Sequence, residues 1–100
     1  MNDMFVKCLG DSDPVRVYGV YWVGGERYFW IIPYVGYGGF LSVSEKEVSV
    51  VDDVVPSDFV VCKDGEGKDM LIHWAAEDLL HGLVEHDPVA MDEFLMRLGL

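Results

Sequence analysis

The stretch from Val15 to Tyr34 constrains this chain more than any other. It reads Val-Arg-Val-Tyr-Gly-Val-Tyr-Trp-Val, then Gly24-Gly25, then Glu-Arg-Tyr-Phe-Trp-Ile-Ile-Pro-Tyr. β-Branched and aromatic runs flanking a Gly-Gly pair specify a β-hairpin, because both turn residues can take positive φ. A two-residue loop pairs Val23 with Glu26 and Trp22 with Arg27, and the ladder then runs through Tyr21–Tyr28, Val20–Phe29 and Gly19–Trp30. Continued without interruption, it reaches Tyr18–Ile31 and Val17–Ile32. Strand alternation then places Tyr18, Val20, Trp22, Arg27, Phe29 and Ile31 on one face. Val17, Tyr21, Val23, Tyr28, Trp30 and Ile32 take the other, with Trp30 over the bare backbone of Gly19.

Neither face is polar, so the hairpin is expected to be central and covered on both sides. The face with Val20, Phe29 and Ile31 is the one expected against the helices, since those side chains need no polar partner. Tyr21, Tyr28 and Trp30 are expected nearer the surface, where their polar atoms reach water or a partner.

The flanking segments add shorter elements. Met4 to Leu9 reads as an edge strand and Asp11-Ser-Asp-Pro14 as a turn. Pro33 ends the second hairpin strand. Phe40 to Val43 rejoins the sheet, Ser44-Glu-Lys-Glu47 allows one helical turn, and Glu47 to Val51 alternates as a strand. Phe59–Lys63 and Lys68–Ile72 form a second hairpin, for which an Asp64-Gly65 turn sets Lys63 opposite Glu66 and avoids opposing Lys63 to Lys68.

Beyond it, Ala76, Leu79, Leu80, Leu83 and Val84 recur at helical spacing. Asp87-Pro88 opens a second helix as N-cap and first helical residue. Met91, Phe94, Leu95 and Leu98 give it an apolar stripe, and Gly99 closes it. Strands first and helices last predict an α+β fold. Its antiparallel sheet of about five strands is built on a central hairpin, with two short C-terminal helices packed on one face.

The chain has 100 residues, which suits one domain spanning 1–100. A hydrophobic fraction of 51% with 13% aromatics is incompatible with a disordered chain. No apolar run has the length of a membrane span. Met1-Asn2-Asp3-Met4-Phe5 lacks the basic and apolar regions of a secretory signal. Cys8 and Cys62 make no disulfide framework, so a cytoplasmic setting with free thiols is expected.

Motifs for chemistry are weak. His73, Glu77, His81 and Glu85 recur every four residues, but they offer no closed ligand set for zinc, and neither metal nor cofactor is expected. Gly36-Tyr37-Gly38-Gly39 leads into a strand and has no nearby lysine or arginine, unlike a phosphate loop. The acidic run from Asp64 to Asp69 lacks the calcium-loop glycine at its sixth position. No serine or cysteine sits in the sequence context of an activated nucleophile.

Charge is the distinctive feature. The net charge is -11, and residues 45–93 alone carry 14 acids against 3 bases. Such a surface maintains solubility, and it also steers a basic partner. Direct nucleic-acid binding needs clustered lysine and arginine, which are missing.

The expected function is therefore a non-enzymatic protein-binding module. The form expected is a small acidic bacterial immunity protein that blocks a basic partner such as a toxin nuclease. Asp52, Asp53, Asp58, Glu66, Asp69, Glu77 and Asp78 are the acids without an evident structural role and are expected to carry recognition. Tyr37 and Trp74 are the expected aromatic hot spots. The alternatives are a small enzyme or ligand-binding domain with a pocket between the aromatic hairpin face and the helices, and an accessory subunit that dimerises through the hairpin face.

Overall fold

The central hairpin is formed by β2 (Val15–Val23) and β3 (Glu26–Ile31), joined by Gly24 and Gly25 at φ of 59° and 83°. The computed structural model describes residues 3–10, 13–63 and 65–99. The expected turn at 11–14 and the Asp64-Gly65 turn therefore fall partly outside the described residues. The other strands are β1 (Phe5–Cys8), β4 (Leu41–Ser44), β5 (Val48–Asp52), β6 (Phe59–Lys63) and β7 (Asp69–His73). The helices are α1 (Leu80–Val84) and α2 (Pro88–Leu98), and 3-10 turns occupy Glu45–Glu47 and Trp74–Ala76. The fold is α+β, and its one connected sheet has seven strands, all paired antiparallel.

The sheet forks at β2. One edge of β2 pairs with β3, which in turn pairs with β4. Its other edge pairs with β1 near Val15 and Arg16, and with β7 at Gly19 and Val20. A nine-residue strand is long enough to serve both partners in succession. β1 continues to β5, so it is an interior strand rather than the expected edge. β6 extends the other branch beyond β7.

The hairpin register holds from Val23–Glu26 to Gly19–Trp30 and then slips, so that Val17 pairs with Ile31 rather than Ile32. Tyr18 is the additional residue of a bulge, and a one-residue slip turns every following side chain to the opposite face. Val17 thereby joins Val20, Phe29 and Ile31, while Tyr18 joins Tyr21, Trp30 and Ile32. Trp30 does lie on Gly19, where an added Cβ would sit 2.6 Å from its ring.

The helices cover the Trp30 face, not the Phe29 face. Ile72 pairs with Gly19 and so projects on the same side as Trp30, and β7 leads directly through the second 3-10 turn into the helices. Trp30 is accordingly only 7% exposed, packed with Phe40, Ile72, Leu83, Met91 and Phe94. Phe94 anchors that layer, with its ring edge-on to Tyr18, Phe40 and His73.

The opposite face buries Val17, Val20, Phe29 and Ile31 under Met4 and Val6 of the β1 side, with Val43 and Val48 closing the ends. The first 3-10 turn carries the chain from β4 to β5, held by a capping box in which Ser44 and Glu47 satisfy each other's backbone. Both hairpin faces are thus occupied within the chain. Only its tip, with Trp22 40% and Val23 55% exposed, projects outward.

In the second hairpin Lys63 pairs with Asp69, and Cys62 with Met70, across a longer loop than expected. An Asp64-Gly65 turn would set Asp69 opposite Val60. The observed register instead sends Val60, Cys62, Met70 and Ile72 together into the helix layer, and Lys63 still meets an opposite charge.

α1 is shorter than its apolar stripe suggested, because Trp74–Ala76 winds as a 3-10 turn and 77–79 is a plain turn. It ends where His86 adopts φ 61° and Phe40 N–H donates to Leu83 O at 2.9 Å. That approach requires Gly39, since a Cβ there would lie 2.5 Å from the same carbonyl oxygen. α2 begins and ends as expected, with Asp87 accepting from Val89 N–H and Gly99 left-handed at its end.

Candidate partner-binding surface

Each arginine is shared between two carboxylates. Arg16 Nη2 lies 3.4 Å from Asp3 and 3.6 Å from Asp58. Arg27 holds Asp53 through both terminal nitrogens, at 2.7 and 3.2 Å, and Glu45 through Nε. Arg97 grips Asp78 at 2.6 and 3.2 Å and Glu93 at 3.4 Å, and it also donates to Ala75 O. Three lysines lie beside Glu26, Glu66 and Asp69. Six of the seven lysines and arginines thus lie beside carboxylates, and the surplus charge is acidic.

This arrangement gives partners to acids that the sequence left unassigned. Asp53 is bound to Arg27, Asp58 to His73 and Arg16, Asp69 to Lys63, and Asp78 to Arg97. The premise that they lack a structural role is corrected, because the fold brings distant bases to them. Arg97 holds the Asp78 carboxyl below its ordinary pKa, and in turn its own pKa rises.

Asp52 accepts from Val54 N–H, and Glu66 lies 3.9 Å from Lys68. Glu77 is exposed and makes no ion pair among the described residues. Trp74 is 49% exposed and sits between two of the expected acids, donating its N–H to Asp58 O and accepting from Glu77 N–H. Tyr37 belongs elsewhere, edge-on to Tyr34 and His86 beside the end of α1.

The helical segment is acidic with little basic charge of its own. From residue 74 to residue 99 there are six carboxylates, and Arg97 is the only lysine or arginine. On α2, Val89, Asp92, Glu93 and Met96 follow the i, i+3, i+4, i+7 spacing of one helical face. All four are exposed, Val89 at 75% and Met96 at 71%. Apolar side chains interleaved with carboxylates are suited to contact with a basic, partly apolar surface.

Of the three histidines, His73 is buried and His81 and His86 are exposed. His73 is 2% exposed, its Nδ1 accepts from Ala75 N–H at 3.1 Å, and its Nε2 lies 3.1 Å from Asp58 Oδ2. An acceptor Nδ1 places the proton on Nε2, which then donates to Asp58. Both nitrogens are engaged, and burial pushes the imidazole pKa down. Glu77 lies on the turn before α1, His81 on α1 and Glu85 just after it, so they do not continue one helix from His73. Among the described residues no three His, Cys, Asp or Glu side chains are grouped to hold a metal.

A groove of about 550 Å³ lies between the start of β2, the segment 32–36 and α2, and a second hollow of about 660 Å³ lies at the hairpin tip beside Glu45 and Lys46. Val15, Ile32, Met91 and Leu95 line the groove together with Arg16 and Tyr18. The Arg16 guanidinium lies over the Tyr18 ring at 5.1 Å. Burial is the main influence raising the Tyr18 hydroxyl pKa.

Comparison with known protein families, with characterised proteins and with solved structures finds no match to this chain. The surface must therefore be read from its own chemistry. Sequence reasoning passed over the outer face of α2, although its spacing is visible from Val89 to Met96. It considered a pocket between the hairpin face and the helices but named none of the groove's lining residues, which come from three separate segments.

Proposed function

We propose that this chain is a protein-binding module of the immunity type, a small acidic protein that covers the basic active site of a toxin such as a nuclease. The observation that carries this reading is the occupancy of the arginines. With Arg16, Arg27 and Arg97 each held by two carboxylates, the unpaired surplus is negative, and Trp74, Val89 and Met96 lie exposed among neighbouring carboxylates. Exposed apolar side chains supply contact area, and the surrounding carboxylates supply steering and exclude wrong partners.

Engagement of both His73 nitrogens favours binding over catalysis, since the most buried histidine has no free atom for a substrate. A partner with a basic cleft gains most, because an acidic cover neutralises the charges that hold its phosphate-bearing substrate.

The test is capture from the native host with immobilised wild type and the double variant E77K/D92K, at positions that make no ion pair among the described residues. A basic protein retained by wild type at low salt, released at high salt and absent from the variant is the expected result. Retention that is indifferent to both salt and the reversals would refute the proposal.

A further inference from the structure

We infer that the groove beside α2 binds a small neutral molecule, with an apolar body on its aliphatic walls and one oxygen that accepts hydrogen bonds from Arg16 and Tyr18. The groove shares no residue with the exposed face of Val89, Asp92, Glu93 and Met96, and it does not depend on the protein partner. Its volume of about 550 Å³ lies within the roughly 300–1,000 Å³ of small-molecule sites. Val15, Ile32, Met91 and Leu95 supply carbon surface from three segments, onto which an apolar body moves favourably out of water. Tyr18 is in place before anything binds, since its ring stacks on Phe40 and meets Phe94 edge-on. The Arg16 guanidinium lies over the same ring at 5.1 Å.

The polar side chains of the lining are mainly donors. Among the described residues they are Arg16, Tyr18 and Tyr34. A guanidinium offers N–H groups and no acceptor, and each tyrosine adds one hydroxyl, so the occupant has to bring an acceptor. Charge then narrows its class. A cation meets the Arg16 guanidinium directly. An anion gains little from it, because Asp3 and Asp58 already lie 3.4 and 3.6 Å from Arg16 Nη2 and the net charge of the chain is -11. Those two carboxylates lie outside the lining and balance the charge from behind. Neither is as close as the 2.7 and 2.6 Å contacts that hold Arg27 to Asp53 and Arg97 to Asp78. Arg16 therefore presents donors without net positive charge. Ketones, esters and amides with a short hydrocarbon chain use the walls and the donors together.

The test is methyl NMR of the whole chain with three probes of one chain length: 2-octanone, octanoate and octylamine. At about pH 7 the acid is an anion and the amine a cation. The expected result is a saturable shift of the Val15, Ile32, Met91 and Leu95 methyls by the ketone, with the other two binding roughly tenfold more weakly. Tyr18→Phe keeps the packed ring and removes one donor, so it should weaken ketone binding about fivefold, the effect of one hydrogen bond. Equal or tighter binding of octanoate would overturn the inference, because the groove would then be an anion site governed by Arg16. A preference for octylamine would overturn it as well. Ketone binding unchanged in Tyr18→Phe would remove the oxygen contact, and with it the ligand class. No shift with any probe would overturn the groove as a ligand site, while the partner proposal stands or falls on salt-sensitive capture.

Discussion

His73 is the residue whose burial has the clearest measurable consequence. The folded chain holds its imidazole neutral, with one nitrogen accepting from Ala75 N–H and the other facing Asp58. An unfolded histidine takes up a proton near pH 6.5. As pH falls through that value, the unfolded chain binds a proton that the folded chain refuses, so stability declines with acidification. Above it, His73 adds no pH dependence. Urea midpoints measured from about pH 7.5 to 5.5 should fall in wild type and fall distinctly less in His73→Gln, which cannot titrate.

Truncation gives a second residue-scale expectation. Phe29 and Phe94 are both 0% exposed on opposite faces of the sheet, and Phe→Ala at either should cost about 3–5 kcal/mol. Tyr21 is half-buried against Tyr28 and Trp30, so Tyr21→Ala should cost less in the same denaturant titration.

At the scale of elements, turns and caps carry energies that substitution can read. Asp87→Ala removes the cap of α2 and should destabilise by about 1 kcal/mol. Gly39→Ala should cost more, because the clashing atom is the backbone oxygen of Leu83 and a backbone cannot swing aside. Thermal unfolding of the two variants side by side would show the order. The hairpin tip was legible because Gly24-Gly25 and the flanking runs are local signals. The Tyr18 bulge was not, since it serves the junction where β2 passes from β1 to β7, a tertiary event. The second hairpin failed differently. A rule of opposite charges accepted Lys63–Glu66, yet Lys63–Asp69 satisfies it equally well and alone brings Val60 and Cys62 to the same layer as Met70 and Ile72. Ala76 to Val84 had helical spacing throughout, but its beginning is committed to the turns that follow β7.

For the whole molecule, the sequence supplied the amount of charge and the fold its distribution. Asp53 meets Arg27, and Asp78 meets Arg97, across long stretches of chain, so the acids available to a partner could not be chosen from local context. Glu77 and Asp92 emerge as available, and E77K/D92K should leave stability within about 0.5 kcal/mol of wild type.

The central claim is that this acidic surface recognises a basic protein, and the association rate tests it most directly. With the captured partner, stopped-flow rates should be measured at rising ionic strength for wild type and E77K/D92K. The account predicts a wild-type rate that falls steeply with salt, and a variant that is slower at low salt and less salt-dependent. Identical rates and identical salt dependence would contradict it, leaving the acidity to solvation alone.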